Sequence, residues 1–312
     1  MVSRKTNQRK AVDGKIGFVL FLVLLGIMVM TLTVVGFLSI AGDKEDEESA
    51  YENSAITEVE EEKEPEIEPE PEVAKIDLQP VVDSWAAAVG GNRSVLIYDL
   101  ERGEIIGSYN VAESYNTASL YKLFVVYEGY WRLESGEWQA EDQAGSTGHT
   151  ILECLDLAIR ESYSPCAETL WGYIGHDALD EIVEKDFEIA NSDISSLVSN
   201  PEDIMKIMRM FYEHTDITDE ELVARMKDSF LNQPTTTYNW RQGLPSGFTK
   251  ANVYNKVGWD WNGSSWNIYH DAAVVEFPEL NRHFIVVVMT NQVSYQRIAE
   301  LGGKIEGAIL QQ

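Results

Sequence analysis

The sequence predicts an α+β domain. Strands near its start and end join in one antiparallel sheet flanked by helices, an all-helical subdomain is inserted between them, and one transmembrane helix precedes the whole. Three observations carry this. An uncharged apolar run fills Ile16–Ala41. Short β-rich segments occur at 94–109 and return at 253–290. The segments between them read as helices, several with capping residues ahead. With 312 residues, 44% hydrophobic and 24% charged, the chain has the composition of a folded protein. The formal net charge is −28, which excludes a basic nucleic-acid footprint. Two cysteines are too few for a disulfide-framework mini-fold or a four-Cys zinc site.

Residues 1–15 hold five basic residues against Asp13 and are expected to stay cytoplasmic. Residues 16–41 form the predicted transmembrane helix. These 26 residues exceed the ~20 that span a bilayer. They also exceed the apolar core of a cleaved signal peptide, so a retained anchor is expected despite the small-residue stretch Ser39-Ile40-Ala41. Residues 42–74 form a linker. Within it, 43–72 carry 15 acids and two lysines, with prolines interleaved. Such a segment cannot bury enough apolar surface to fold. At about 3.1 Å per residue it would hold a domain up to roughly 90 Å from the membrane. Residues 75–312 form the extracytoplasmic domain, still acidic with 36 acids and 17 bases.

Within that domain Val81–Val89 is a short amphipathic helix. Ser94–Leu100 and Glu104–Tyr109 form a hairpin across Glu101-Arg102-Gly103. Ser119 to about Leu133 is helical and largely apolar. Thr150-x-x-Glu153 is a capping box that starts the next helix. Pro165 opens another, to about Tyr173. Further helices are expected at Asp177–Phe187, Pro201–His214 and Asp219–Phe230. Strands return at Val253–Trp259, Tyr269–Glu276 and His283–Thr290, and a last helix begins near Gln296.

The chemistry starts at Thr117-Ala-Ser119-Leu-Tyr-Lys122. A serine at a helix start has free backbone N–H groups nearby. A lysine three residues on lies one turn along the same face and, when desolvated, can take its proton. Alone, S-x-x-K more often marks a capping serine and a surface lysine. Two further elements follow. Ser162-Tyr163-Ser164 joins two helices, and Lys256-Val257-Gly258-Trp259 lies on a late strand. Together they match S-x-x-K, S-D-N and K-T-G in order and spacing.

On these motifs the chain from about residue 80 resembles the superfamily of class A β-lactamases and penicillin-binding, transpeptidase-like serine hydrolases. Supporting stretches are Leu96–Leu100 with Gly103, Ser199–Asp203, Arg241–Pro245 and His270–Val275. The resemblance implies Ser119 as acylated nucleophile and Lys122 as its base or base partner. It implies Ser162 as proton relay to the leaving amine and Lys256 as positive potential for a substrate carboxylate. The oxyanion hole would come from the backbone N–H groups of Ser119 and Trp259. Substrates would be β-lactams or D-Ala-D-Ala-type peptidoglycan peptides. No cofactor or metal is expected, and no oligomeric state is indicated.

Three departures from the family pattern matter. Ser164 replaces the Asn of S-D-N, with a shorter stem and only a hydroxyl. Val257 replaces the Thr of K-T-G, which removes a hydrogen bond to a substrate carboxylate worth about 1.5–3 kcal/mol. Gly258 is kept. The loop segment Phe187–Asn200 has no E-x-x-L-N, whose Glu activates the deacylating water. Its only acids, Glu188 and Asp193, read as solvated loop residues. A long-lived acyl-enzyme is therefore expected, as in a penicillin-binding protein. A true β-lactamase, or an inactive binder of wall peptides on the same fold, is the alternative.

Cys154 and Cys166 are expected either to bridge the two helices that present Ser162 or to stay as buried thiols. The five histidines show no zinc-hydrolase spacing. His270-Asp271 reads as a packed pair on the sheet more readily than as a cleft residue pair. Trp259, Trp261, Trp266 and Tyr269 either wall the substrate groove or pack on one another.

Overall fold

The computed structural model describes residues 74–234, 239–261 and 266–311. The basic tail, the apolar run and the acidic linker read at 1–73 lie outside these residues. Among the described residues, no helix is long and apolar enough to cross a membrane.

Helix α1 (Gln79–Ala88) opens the domain. β1 (Asn92–Asp99) and β2 (Glu104–Tyr109) form the expected hairpin. Gly103 turns it at φ 67°, a conformation that costs glycine nothing. β3 (Tyr115–Asn116) leads to a one-turn 3-10 helix, Ala118–Leu120, and then to α2 (Tyr121–Glu134). The middle of the chain is helical: α3 (Ile151–Arg160), α4 (Ser164–Ile174), α5 (His176–Lys185), α6 (Pro201–Glu213) and α7 (Glu220–Leu231). A short strand, β4 (Val198–Ser199), precedes α6 and pairs with β3. After α8 (Leu244–Gly247) come β5 (Asn252–Trp261), β6 (Trp266–Phe277), β7 (Arg282–Asn291) and α9 (Tyr295–Ile309).

The main sheet has the order β2-β1-β7-β6-β5 with antiparallel neighbours throughout. The first strand of the domain therefore pairs with the last, with Leu96 opposite Val287. Successive strand residues point to opposite faces. Leu96, Ile285 and Val287 join a core with Phe124 of α2 and Ile204 of α6. Val95, Ile97, Val286 and Val288 join a second core with Trp85 of α1 and Ile298 of α9. Both faces of the sheet are covered, which is why β7 is buried at nearly every position.

The helix starts follow local chemistry. Thr150 and Glu153 form the reciprocal capping box, at 3.3 and 2.8 Å. Asn200 caps α6 ahead of Pro201, and Asp219 caps α7. One start differs from the sequence reading. The helix expected from Ser119 begins as the separate 3-10 turn, entered through Ala118 at φ 44°. β3, β4 and α8 are too short to show any periodicity.

Candidate active site

Lys122, Ser162, Ser164 and Lys256 meet where α2, the α3–α4 junction and β5 come together. Lys122 is fully buried. Its Nζ donates to the Ser162 carbonyl at 2.5 Å, to Ser162 Oγ at 3.3 Å and to Ser164 Oγ at 3.0 Å. Lys256 is equally buried. Its Nζ donates to Ser162 Oγ at 2.9 Å and to the Val257 carbonyl at 2.6 Å. The Ser162 hydroxyl thus stands between two amines. A hydroxyl has two acceptor lone pairs and one proton, so with both lone pairs engaged its proton points elsewhere. Ser162 holds this place at φ 55°, a conformation that is uncommon for a residue with a Cβ.

Electrostatics follow from burial. Burial pushes Lys122 down to about 8, and the Glu168 carboxylate works against that shift. Burial also holds Lys256 well below its ordinary value; the nearby Lys122 charge adds to this and Asp271 opposes it. Asp271, opposite Val257 on β6, is itself buried and raised to about 7. It accepts from Asn255 Nδ2 at 2.9 Å and from the Leu244 N–H at 2.7 Å.

Ser119 lies on the 3-10 turn, half-buried. Its Oγ is not among the hydrogen-bond partners of Lys122 Nζ. The turn is held from three sides. Asn116 Oδ1 accepts from the Ala118 N–H at 2.8 Å. The Leu197 carbonyl accepts from the Thr117 N–H at 2.7 Å. His270 bonds the Asn116 carbonyl through Nε2 at 2.8 Å, while its Nδ1 accepts from the Thr290 N–H at 2.9 Å. That pattern places the imidazole proton on Nε2. Burial lowers His270 to about 4, so it stays neutral at ordinary pH. His270 is a packed fastener between the sheet and β3.

Gly258 seats the same turn on β5. A Cβ at this position would fall 2.6 Å from the Thr117 carbonyl oxygen and 3.0 Å from Leu120 Cγ. Only glycine allows so close an approach. Val257, one residue earlier, faces the other way and packs in the second core. Trp259 is half-buried, and its ring stacks on Trp240 with centroids 5.3 Å apart. Tyr269 is buried in the second core and tilts against Tyr295.

Trp240 was not singled out by sequence. Its indole N–H donates to the Glu161 carbonyl at 3.2 Å, and its own carbonyl accepts from Asn255. It therefore joins the Ser162 junction to β5. A lone tryptophan in a loop carries no spacing signal, so only the fold reveals this.

Segment 187–200 is a fastener too. Asp193 accepts from Ser195 and Ser196 within its own turn. Glu188 is exposed. Neither carboxylate bears on Lys122.

Cys154 and Cys166 are joined by a disulfide, which ties α3 to α4 and so fixes the Ser162 junction. The partners stand 12 positions apart, and removing the bridge as Cys154→Ala/Cys166→Ala is expected to cost about 3 kcal/mol. Chemical denaturation checks this. A midpoint equal to that of the unaltered protein would show that packing alone holds the junction.

A cavity of about 410 Å³ lies between α6, α7 and the sheet, lined by Phe211, Phe230 and Tyr254 among others. It contains none of the candidate residues. Among the described residues, no cluster of His, Cys, Asp and Glu is placed to hold a metal ion.

The α+β domain thus brings residues of all three motif elements together at one junction. The chain belongs to the β-lactamase enzyme family, whose model matches residues 77–312. No curated protein matches it. Among solved structures it is similar to an ancestral class A β-lactamase, with TM-score 0.64 and 17% identity over 74% of this chain and 100% of that one. PBP-A gives TM-score 0.63 and 14% identity over 76% and 98%. A β-lactamase from Chitinophaga pinensis gives 0.63 and 13% over 73% and 97%. At such identities the likeness speaks for the fold.

Proposed function

We propose that this protein is a membrane-anchored serine acyl-transfer hydrolase whose domain at 75–312 works outside the cytoplasm. It acts on β-lactams or D-Ala-D-Ala-type peptidoglycan peptides through a Ser119 acyl-enzyme. The observation that carries this is the Ser162 hydroxyl held at once by Lys122 and Lys256, beside the turn that presents Ser119. Ser119 attacks the amide or lactam carbonyl while neutral Lys122 takes its proton. Ser162, with its proton free of both lysines, hands that proton to the departing nitrogen and takes the one Lys122 collected, so both end as they began. Lys256, in its protonated form, draws the substrate carboxylate into an otherwise acidic domain. The N–H groups of Ser119 and Trp259 hold the developing oxyanion. Segment 187–200 offers no carboxylate for a hydrolytic water, so the acyl-enzyme is long-lived. The apolar run at 16–41 and the acidic spacer keep the domain near the membrane, where wall peptides are made.

The pH dependence has a definite sign. Lys122 accepts a proton only when neutral, and it is lowered to about 8. Acylation should therefore rise about tenfold per pH unit and level off above about pH 8. Fluorescent-penicillin labelling from pH 5.5 to 9.5, with Ser119→Ala as blank, tests this. A flat profile would remove Lys122 from the role.

One observation favours an alternative, a binding domain of the same fold without turnover: Ser119 Oγ stands outside the lysine network. Binding of a D-Ala-D-Ala peptide by both the unaltered protein and Ser119→Ala, with no covalent product in either, would decide for it.

A further inference from the structure

Proton transfer in this site is expected to need a second acceptor besides Lys122, because an acyl-enzyme is hydrolysed only if something deprotonates water. The loop that would supply it holds Asp193 in its own turn. Another element, α4, carries a carboxylate on the same helix as Ser164. Ser164, Glu168 and Trp171 are spaced four and three residues apart on α4, so they form one stripe of that helix. Ser164 touches Lys122 at 3.0 Å. Trp171 packs on Tyr121, with ring centroids 5.0 Å apart. Glu168 lies between these two contacts, facing the Tyr121–Lys122 turn, and it is open to solvent.

We propose that Glu168 is the base of the hydrolytic half-reaction, supplied by α4 in place of a loop glutamate. This rests on the acyl-enzyme reading above. Water's oxygen bonds to the acyl carbon, and one of its protons passes to the Glu168 carboxylate. The bond from the acyl carbon to Ser119 Oγ breaks. That oxygen takes the proton collected by Glu168, passed on through Lys122, so Glu168 ends as a carboxylate and Lys122 as the neutral amine. Two further facts agree. Glu168 is the carboxylate whose charge bears on both Lys122 and Tyr121. Its exposure leaves room for the water it must activate.

The test follows the decay of the penicilloyl adduct by intact mass after free drug is removed, using the unaltered protein, Glu168→Gln and Glu168→Asp. Glu168→Gln is expected to lengthen the adduct lifetime about tenfold to a hundredfold, without slowing acylation by the same factor. Glu168→Asp should fall between. An unchanged lifetime in Glu168→Gln overturns the assignment and leaves the acyl-enzyme standing. Parallel loss of acylation and decay overturns it too, since that marks a merely structural role. An unaltered protein that forms no adduct takes down the acyl-enzyme reading, and this assignment with it.

Discussion

Replacing Lys122 with methionine is expected to slow covalent capture of penicillin about 10³-fold, the scale of a lost general base. The side chain is fully buried and its three hydrogen bonds all go to Ser162 and Ser164. Its amine has no surface salt bridge to lose, so the change should be felt in rate more than in stability. Methionine has a similar length and fills the same space. Lys122→Arg should be as slow, because a guanidinium does not give up its proton. Stopped-flow labelling paired with a thermal melt separates the two effects. Capture within tenfold of the unaltered rate, in a protein that melts normally, would show that Ser119 loses its proton elsewhere.

Gly258→Ala is expected to damage capture although it removes no chemical group. The added methyl would sit 2.6 Å from the Thr117 carbonyl oxygen, a backbone atom that cannot swing away. The 3-10 turn must lift from β5, carrying Ser119 with it. A displacement on the order of 1 Å at a reacting atom can cost about 10²-fold in rate. Overpacking adds roughly 1–3 kcal/mol of destabilisation. Capture rate and denaturation midpoint measured on the same sample check both. A variant with normal capture and reduced stability would mean that the turn adapts without moving Ser119.

The elements with strong local signals were legible in the sequence. The hairpin showed two β-rich runs, 94–100 and 104–109, joined by a glycine turn, and Thr150 and Glu153 announced α3. The meeting of β1 with β7 followed from strands at both ends of the domain. The motif serines and lysines stand out by their order along the chain, at 119–122, 162–164 and 256–258, and the fold brings Lys122, Ser162, Ser164 and Lys256 together. What escaped was set by tertiary packing. The 3-10 turn before α2 owes its shape to Ala118 and to Gly258 beneath it, and no periodicity records that. Val257 was read by analogy as a substrate-facing position, yet strand alternation turns it into the second core. Trp240 and Glu168 carry no motif; each gains meaning only from the residue across the junction. Asp271, opposite Val257 on β6, reads in the sequence as half of a packed pair. The structure adds that it is buried with its charge held by Asn255 and the Leu244 N–H.

The central claim is that Ser119 becomes covalently acylated. Intact mass spectrometry of the purified protein mixed with benzylpenicillin, followed by peptide mapping, tests it most directly. The expected result is a mass gain of one drug molecule, located on the peptide containing Ser119, persisting after free drug is removed and absent from Ser119→Ala. No mass gain at any pH between 6 and 9, with the drug left intact, would contradict the claim.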